Sequence, residues 1–100
     1  MVTGKQRAYL RKLGHTMQPI FQIGKDGITD TVMAAIDEAL EKRELIKISI
    51  LETAMLDTKE TCDTVAKRLM AEPVQAIGNR FVLYRKSSKE KYRKIELPRK

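Results

Sequence analysis

Pro19-Ile20-Phe21-Gln22-Ile23-Gly24-Lys25-Asp26-Gly27-Ile28-Thr29 holds a strand, a turn and a helix start in one run. Ile20 to Ile23 reads as a short apolar strand. Gly24-Lys25-Asp26-Gly27 is a GxxG turn with a lysine at its tip. Thr29 or Asp30 then caps a helix reaching to about Glu44, because Val32, Met33, Ile36, Ala39 and Leu40 recur at helical spacing. Asp30 near the start and Lys42 and Arg43 near the end suit the helix dipole. Leu45 to Leu51 follows as a strong strand, with Ile46, Ile48 and Ile50 on one side and Lys47 and Ser49 on the other. That pattern predicts a sheet covered on one face and partly open on the other.

The flanks extend the same alternation. Thr3 to about Leu13 reads as a basic amphipathic helix that Thr3 caps and Gly14 stops. A third helix begins between Thr58 and Thr61, carries the stripe Cys62, Val65, Ala66, Leu69 and Met70, and ends before Pro73. Val74 to Ile77 and Phe81 to Arg85 are two further strands around Gly78-Asn79, a tight antiparallel hairpin. The order is α-β-α-β-α-β-β. Two βαβ units with right-handed crossovers and a closing hairpin predict a small single α/β domain with a mixed sheet of about four strands. Residues 1–98 form that domain, and residues 87–100 are its basic C-terminal segment, in which Ile95, Leu97 and Pro98 are able to dock as an extended piece.

Composition narrows the function classes. The chain has 100 residues and a formal charge of +7. The excess lies at the ends: Lys5, Arg7, Arg11 and Lys12 open the chain without an acid, and residues 85–100 carry eight bases against Glu90 and Glu96. A basic pole of this kind attracts polyanions through counterion release. One cysteine (Cys62) and one histidine (His15) cannot pair into a disulfide or supply the usual tetrahedral zinc set. No catalytic constellation or cofactor motif is evident, so the expectation is a non-enzyme without cofactor. Cys62 reads as a core thiol, His15 as a helix-end side chain, and Asp37, Glu38 and Glu41 as solvated charges balancing Lys42 and Arg43. Met33, Met55 and Met70 read as packing. No apolar run approaches the about 20 residues of a spanning helix, and no signal core follows the opening residues. A cytoplasmic monomer is expected.

The GxxG turn carries the chemistry. Glycines at both ends let backbone N–H groups approach a phosphate without a Cβ in the way, and the helix start behind adds a positive dipole end. The turn is too short for a dinucleotide fingerprint and lacks the Gly-Lys-Ser/Thr end of a P-loop. KH-type RNA modules clamp backbone nucleotides with such a loop. Lys25 supplies charge, Gly24, Asp26 and Gly27 supply close approach, and the Asp26 carboxylate has to point away from phosphate.

Beyond this turn the chain resembles a known family. The quoted stretch looks like the signature of the CRM (chloroplast RNA splicing and ribosome maturation) domain. The likeness continues through Glu44-Leu45-Ile46-Lys47-Ile48, Ala76-Ile77-Gly78, Val82-Leu83-Tyr84-Arg85 and Arg93-Lys94-Ile95-Glu96-Leu97-Pro98. It is similar to the stand-alone bacterial form, the YhbY-like proteins. Two positions depart from the pattern: Gly14 stands where the family tends to have alanine, and Asn79 where a basic residue is common, with Arg80 next to it. The resemblance implies a fold like the C-terminal domain of translation initiation factor three with a KH-like loop, and RNA binding, with ribosomal RNA or a precursor large ribosomal subunit as partner. Carried over by position, Gly24, Lys25, Asp26 and Gly27 are the RNA-contacting loop. Lys5, Arg7, Arg11 and Lys12 extend the basic surface, Lys47 lies on the open sheet face, and Arg80 and Arg85 lie on the hairpin. A general DNA-binding protein and a ribosome-associated protein-interaction module are the competing readings.

Overall fold

In the computed structural model, which describes residues 2–99, the elements are α1 (Gly4–His15), β1 (Phe21–Ile23), α2 (Asp30–Arg43), β2 (Leu45–Ile50), α3 (Thr58–Leu69), β3 (Glu72–Ile77) and β4 (Arg80–Tyr84). Short 3₁₀ turns lie at Glu52–Ala54 and Glu90–Tyr92. The strands form one mixed sheet in the order β1-β2-β4-β3. β1 pairs parallel to β2, with Phe21 opposite Ile48 and Ile23 opposite Ile50. β4 pairs antiparallel to both β2 and β3, so it is inserted between the two strands that α3 connects. The α/β class, the element order and the mixed four-stranded sheet are as the sequence predicts.

Alternation on the strands divides the interior in two. Ile46, Ile48 and Ile50 of β2 and Phe81 and Leu83 of β4 face α2 and α3, where they pack on Met33, Ile36, Leu40, Cys62, Val65 and Ala66. Leu45, Val74, Val82 and Tyr84 face the other way and are covered by Leu10 of α1, with Val2, Leu13, Met17, Ile95 and Leu97 around them. Every residue of β2 is therefore buried, Lys47 and Ser49 included. This corrects the expected open face: α1 and the C-terminal segment close it.

Gly14 explains how α1 reaches that position. It does not stop the helix, which continues to His15 and ends on Thr16, whose N–H donates to the Gly14 carbonyl. Gly14 is instead buried against β4, and a Cβ there would sit 3.1 and 3.3 Å from the two Val82 methyls. At its other end α1 carries a reciprocal cap, with the Thr3 side chain accepting from the Gln6 N–H and the Gln6 side chain accepting from the Thr3 N–H.

Local corrections follow from backbone conformation. α3 ends because Met70 turns left-handed (φ 55°), and Pro73 lies inside β3, an edge strand that tolerates its missing donor, beside a register shift before Gln75. Met70 and Met55 both occupy left-handed positions after helical turns, and their side chains are 88% and 91% exposed, so only Met33 of the three packs in the core.

The C-terminal segment is tied down by one carboxylate. Glu44 sits between α2 and β2 in a left-handed backbone (φ 65°) and is 1% exposed. Its Oε1 accepts the N–H groups of Lys94 (2.8 Å) and Ile95 (3.2 Å), its Oε2 accepts that of Ser87 (2.9 Å), and its carbonyl accepts the Arg85 N–H. Burial pushes the Glu44 carboxyl up, but these donors and the Arg93 charge outweigh it and hold the pKa below the ordinary 4.5. Glu41 accepts from both the hydroxyl and the N–H of Ser88 and from the Ser87 hydroxyl, which lower its carboxyl to about 2. The Gln6 amide donates to the Pro98 carbonyl and closes the end of the segment onto α1.

Two outcomes are expected. Gly14→Val drives a branched side chain into Val82 and should lower stability by about 1–3 kcal/mol, read as a fall in the denaturant midpoint without a change in slope. Both carboxyls titrate below their unfolded values, so their contribution is complete above about pH 4.5 and is lost as the pH falls through each folded pKa, which for Glu41 is about 2. Amide exchange at Ser87, Ser88 and Lys94 should accelerate in that window ahead of the β2 amides. Simultaneous loss of both sets would show that the segment does not open separately.

Candidate nucleic-acid interface

The strand that enters the loop ends at Ile23, whose carbonyl accepts the Leu51 N–H at 2.9 Å. Gly24-Lys25-Asp26-Gly27 then makes a tight turn closed by the Gly27 N–H donating to the Gly24 carbonyl at 2.9 Å. That bond uses the Gly27 donor internally and leaves the N–H groups of Lys25 and Asp26 at the tip. Both side chains at the tip are exposed. Gly27 adopts φ +70°, a conformation that disfavours a Cβ. Gly24 differs: it has no left-handed backbone, and an added Cβ would meet only Leu51 Cδ1 at an ordinary 3.8 Å. The fold itself does not require glycine at position 24.

Behind the turn, Thr29 caps α2, its hydroxyl accepting the Val32 N–H at 3.1 Å. Asp30 occupies the first turn of the helix and already answers part of the positive dipole end. The approach to this helix start is thus bounded by Asp26 and Asp30, with Lys25 the cation on the loop.

The same rim of the sheet carries the hairpin turn. Asn79 is clamped to the end of β2: its carbonyl accepts the Ile50 N–H at 2.7 Å, and its side-chain amide donates to the Ile50 carbonyl at 3.2 Å. Asparagine at this position therefore ties two strands together. Arg80 follows, exposed, opposite Ser49. Since β1, β2 and β4 are neighbours, Lys25 and Arg80 stand at one end of the sheet.

The remaining basic candidates fall into two groups. Lys5, Arg11 and Lys12 are exposed on α1, which lies on the sheet face away from α2 and α3. Arg7 of the same helix is drawn toward β3, its guanidinium 3.5 Å from Glu72. Lys47 is only 9% exposed. It lies under α1 and its ammonium reaches the His15 carbonyl at 3.5 Å, where the negative end of the helix dipole stabilises it. It is not on an open face. Arg85 lies past the far end of β4 and is equally committed. It pairs with Asp37 at 2.7 Å, donates to the Asp37 and Leu69 carbonyls at 3.0 and 2.9 Å, and approaches Glu41 at 3.6 Å. Asp37 and Glu41 therefore pair with Arg85, and Glu41 also with Ser87 and Ser88, whereas Lys42 pairs with Glu38 at 2.9 Å.

Burial pushes the Cys62 thiol up to about 12, so it stays protonated at neutral pH and is a poor nucleophile. Among the described residues, no cluster of histidine, cysteine, aspartate and glutamate could hold a metal ion, and no helix is long and apolar enough to cross a membrane. One surface at the rim escapes the sequence reading. Leu51, Met55 and Leu56 are exposed beside the GxxG turn. A run of apolar residues after a strand signals burial, and nothing in the sequence marks these three as solvent-facing.

Comparison with known proteins gives a consistent family. The family model for the CRS1 / YhbY (CRM) domain matches residues 2–85. A Bacillus subtilis protein named "Probable RNA-binding protein YqeI" is 45% identical over 98% of this chain and 100% of its own length. A Haemophilus influenzae protein named "RNA-binding protein" is 35% identical over 96% of this chain and 94% of its own. The solution structure of a hypothetical Staphylococcus aureus protein, proposed in its description to bind RNA, superposes with a TM-score of 0.81 at 47% identity over 98% of this chain and 100% of that one.

Because Arg85 is held on four protein oxygens, Arg85→Met should lower stability by about 1–3 kcal/mol. Its affinity for nucleic acid, measured well below the melting point, should be unchanged. A loss of affinity at unchanged stability would return Arg85 to the binding surface.

Proposed function

The chain belongs to the CRS1 / YhbY (CRM) domain family, and we propose that it is an RNA-binding protein that holds ribosomal RNA during assembly of the large ribosomal subunit. The relatives' names support RNA as the ligand. The match to YqeI over the whole of that protein supports the likeness to the bacterial members of the family, for which the resemblance implies ribosomal RNA and precursor large subunits. The protein binds and positions RNA without transforming it, as a monomer in the cytoplasm.

The GxxG turn carries this reading. Gly24 is free of backbone strain and of crowding, so the benefit of glycine there is the approach of something from outside. Two tip N–H groups, Lys25 and the start of α2 make a phosphate the chemically suited visitor. Arg80 adds a second phosphate contact along the rim, and Lys5, Arg11 and Lys12 on α1 supply a wider field that speeds encounter. Asp26 points its charge to solvent and limits how many phosphates the loop accepts. At the turn and on α1, recognition is by backbone and shape, since the exposed cations there read charge and not base edges.

Gly24→Ala should leave stability unchanged and weaken binding to a large-subunit RNA fragment, whereas Lys25→Ala should weaken binding and reduce the salt slope by about one. Duplex DNA of equal length, titrated at the same salt, should bind more weakly. Equal affinity for the DNA, or variants that bind as well as the parent protein, would overturn the proposal.

A further inference from the structure

The segment between β2 and α3 departs from the rest of the surface. Leu51, Met55 and Leu56 are 40%, 91% and 37% exposed, although each is large and apolar. Met55 is held outward by its left-handed backbone at the end of the 3₁₀ turn, with φ 53° and ψ 40°. Together with Ile50, Glu52, Thr58 and Asn79 these side chains line a groove of about 410 Å³. That volume falls within the range of about 300–1,000 Å³ usual for small-ligand clefts.

The groove is continuous with the phosphate turn. Leu51 Cδ1 is the atom nearest to an added Cβ at Gly24, and the Leu51 N–H bonds the residue just before the turn. Its other wall, Asn79, precedes Arg80. A cation therefore stands on each side, Lys25 on the loop and Arg80 on the hairpin. The lining itself carries no cation and one carboxylate, Glu52. Such a lining repels phosphate and accepts a flat apolar ring that brings N–H donors on its edge. Apolar floor, acidic acceptor and flanking cations together match a nucleotide whose phosphates run along the rim and whose base turns inward.

We propose that the Leu51–Met55–Leu56 groove takes unstacked bases of single-stranded RNA, with Glu52 accepting from base amino groups. This rests on the RNA-binding reading above and adds the class of RNA. Paired bases present no free ring to such a groove, so loops, bulges and single-stranded ends are the preferred ligands. A docked protein helix is the competing occupant. The groove favours bases because its flanks, Lys25 and Arg80, are cationic.

The test compares a single-stranded RNA oligonucleotide with a blunt RNA duplex of the same length at one salt concentration. Met55→Asn is the primary variant, because asparagine tolerates the left-handed backbone and Met55 contributes no core packing. Leu56→Ser is the second, with melting curves as the control for folding. Each should reduce single-strand affinity by about fivefold to tenfold, leave the duplex affinity unchanged and leave the salt slope unchanged. Lys25→Ala should weaken both ligands and lower the slope. Single-strand affinity unaffected by Met55→Asn and Leu56→Ser, with Lys25→Ala still damaging, would overturn the base groove and leave the RNA-binding reading standing. No measurable affinity of the parent protein for either RNA would overturn both.

Discussion

Glu44 puts an ionised carboxylate where water does not reach. An isolated buried charge costs far more than one hydrogen bond returns, and the chain meets that cost with three backbone N–H donors from its last fifteen residues. The consequence spreads through the fold. Fixing Ser87, Lys94 and Ile95 lays Ile95 and Leu97 over Leu45, Val82 and Tyr84, and these with α1 close the second face of the sheet. A polypeptide rich in lysine and arginine would otherwise stay extended in water. Here its backbone supplies the hydrogen-bond donors for the buried carboxylate, and Arg93 adds a favourable charge.

Closure of that face sets the division of labour among the basic residues. Lys47 lies beneath the end of α1 and balances its dipole, and Arg85 bridges α2, α3 and the segment that follows β4. Both charges are consumed in holding elements together. Among the described residues, the cations that no acid claims include Lys25 and Arg80 at the rim where β1 and β2 end, and Lys5, Arg11 and Lys12 on the outer side of α1. The rim also collects the starts of α2 and α3. A parallel pair joined by a helix puts the next helix start at the same end of the sheet, so the turn, the dipole and the hairpin meet there by topology.

Much of this was legible in the sequence. Thr3 and Thr29 cap their helices, the stripe Met33-Ile36-Leu40 faces the sheet, and the glycines around Lys25 make the turn, because each signal is encoded within a few neighbouring residues. Signals that depend on a distant partner were misread. Gly14 looked like a helix stop because a glycine near a helix end usually is one; Val82, from the far side of the sequence, gave it a different purpose. Met55 and Met70 looked like packing because methionine usually packs, yet the left-handed backbone at each site turns the side chain to solvent. Pro73 looked like the end of α3, although an edge strand accommodates it.

The sequence by itself determined the class of fold, the order of its elements and the GxxG turn with Lys25 at its tip. These rest on short-range periodicity and on glycine's backbone freedom, which need no information from elsewhere in the chain. Only the tertiary structure decided which charges remain available and that both faces of the sheet are covered. An arginine or lysine carries the same charge in any sequence context. Whether it meets a ligand or a protein oxygen depends on which oxygens the fold brings within hydrogen-bonding reach of it. At Arg85 and Lys47 the fold brought such oxygens near, and at Lys25 it left the charge in water.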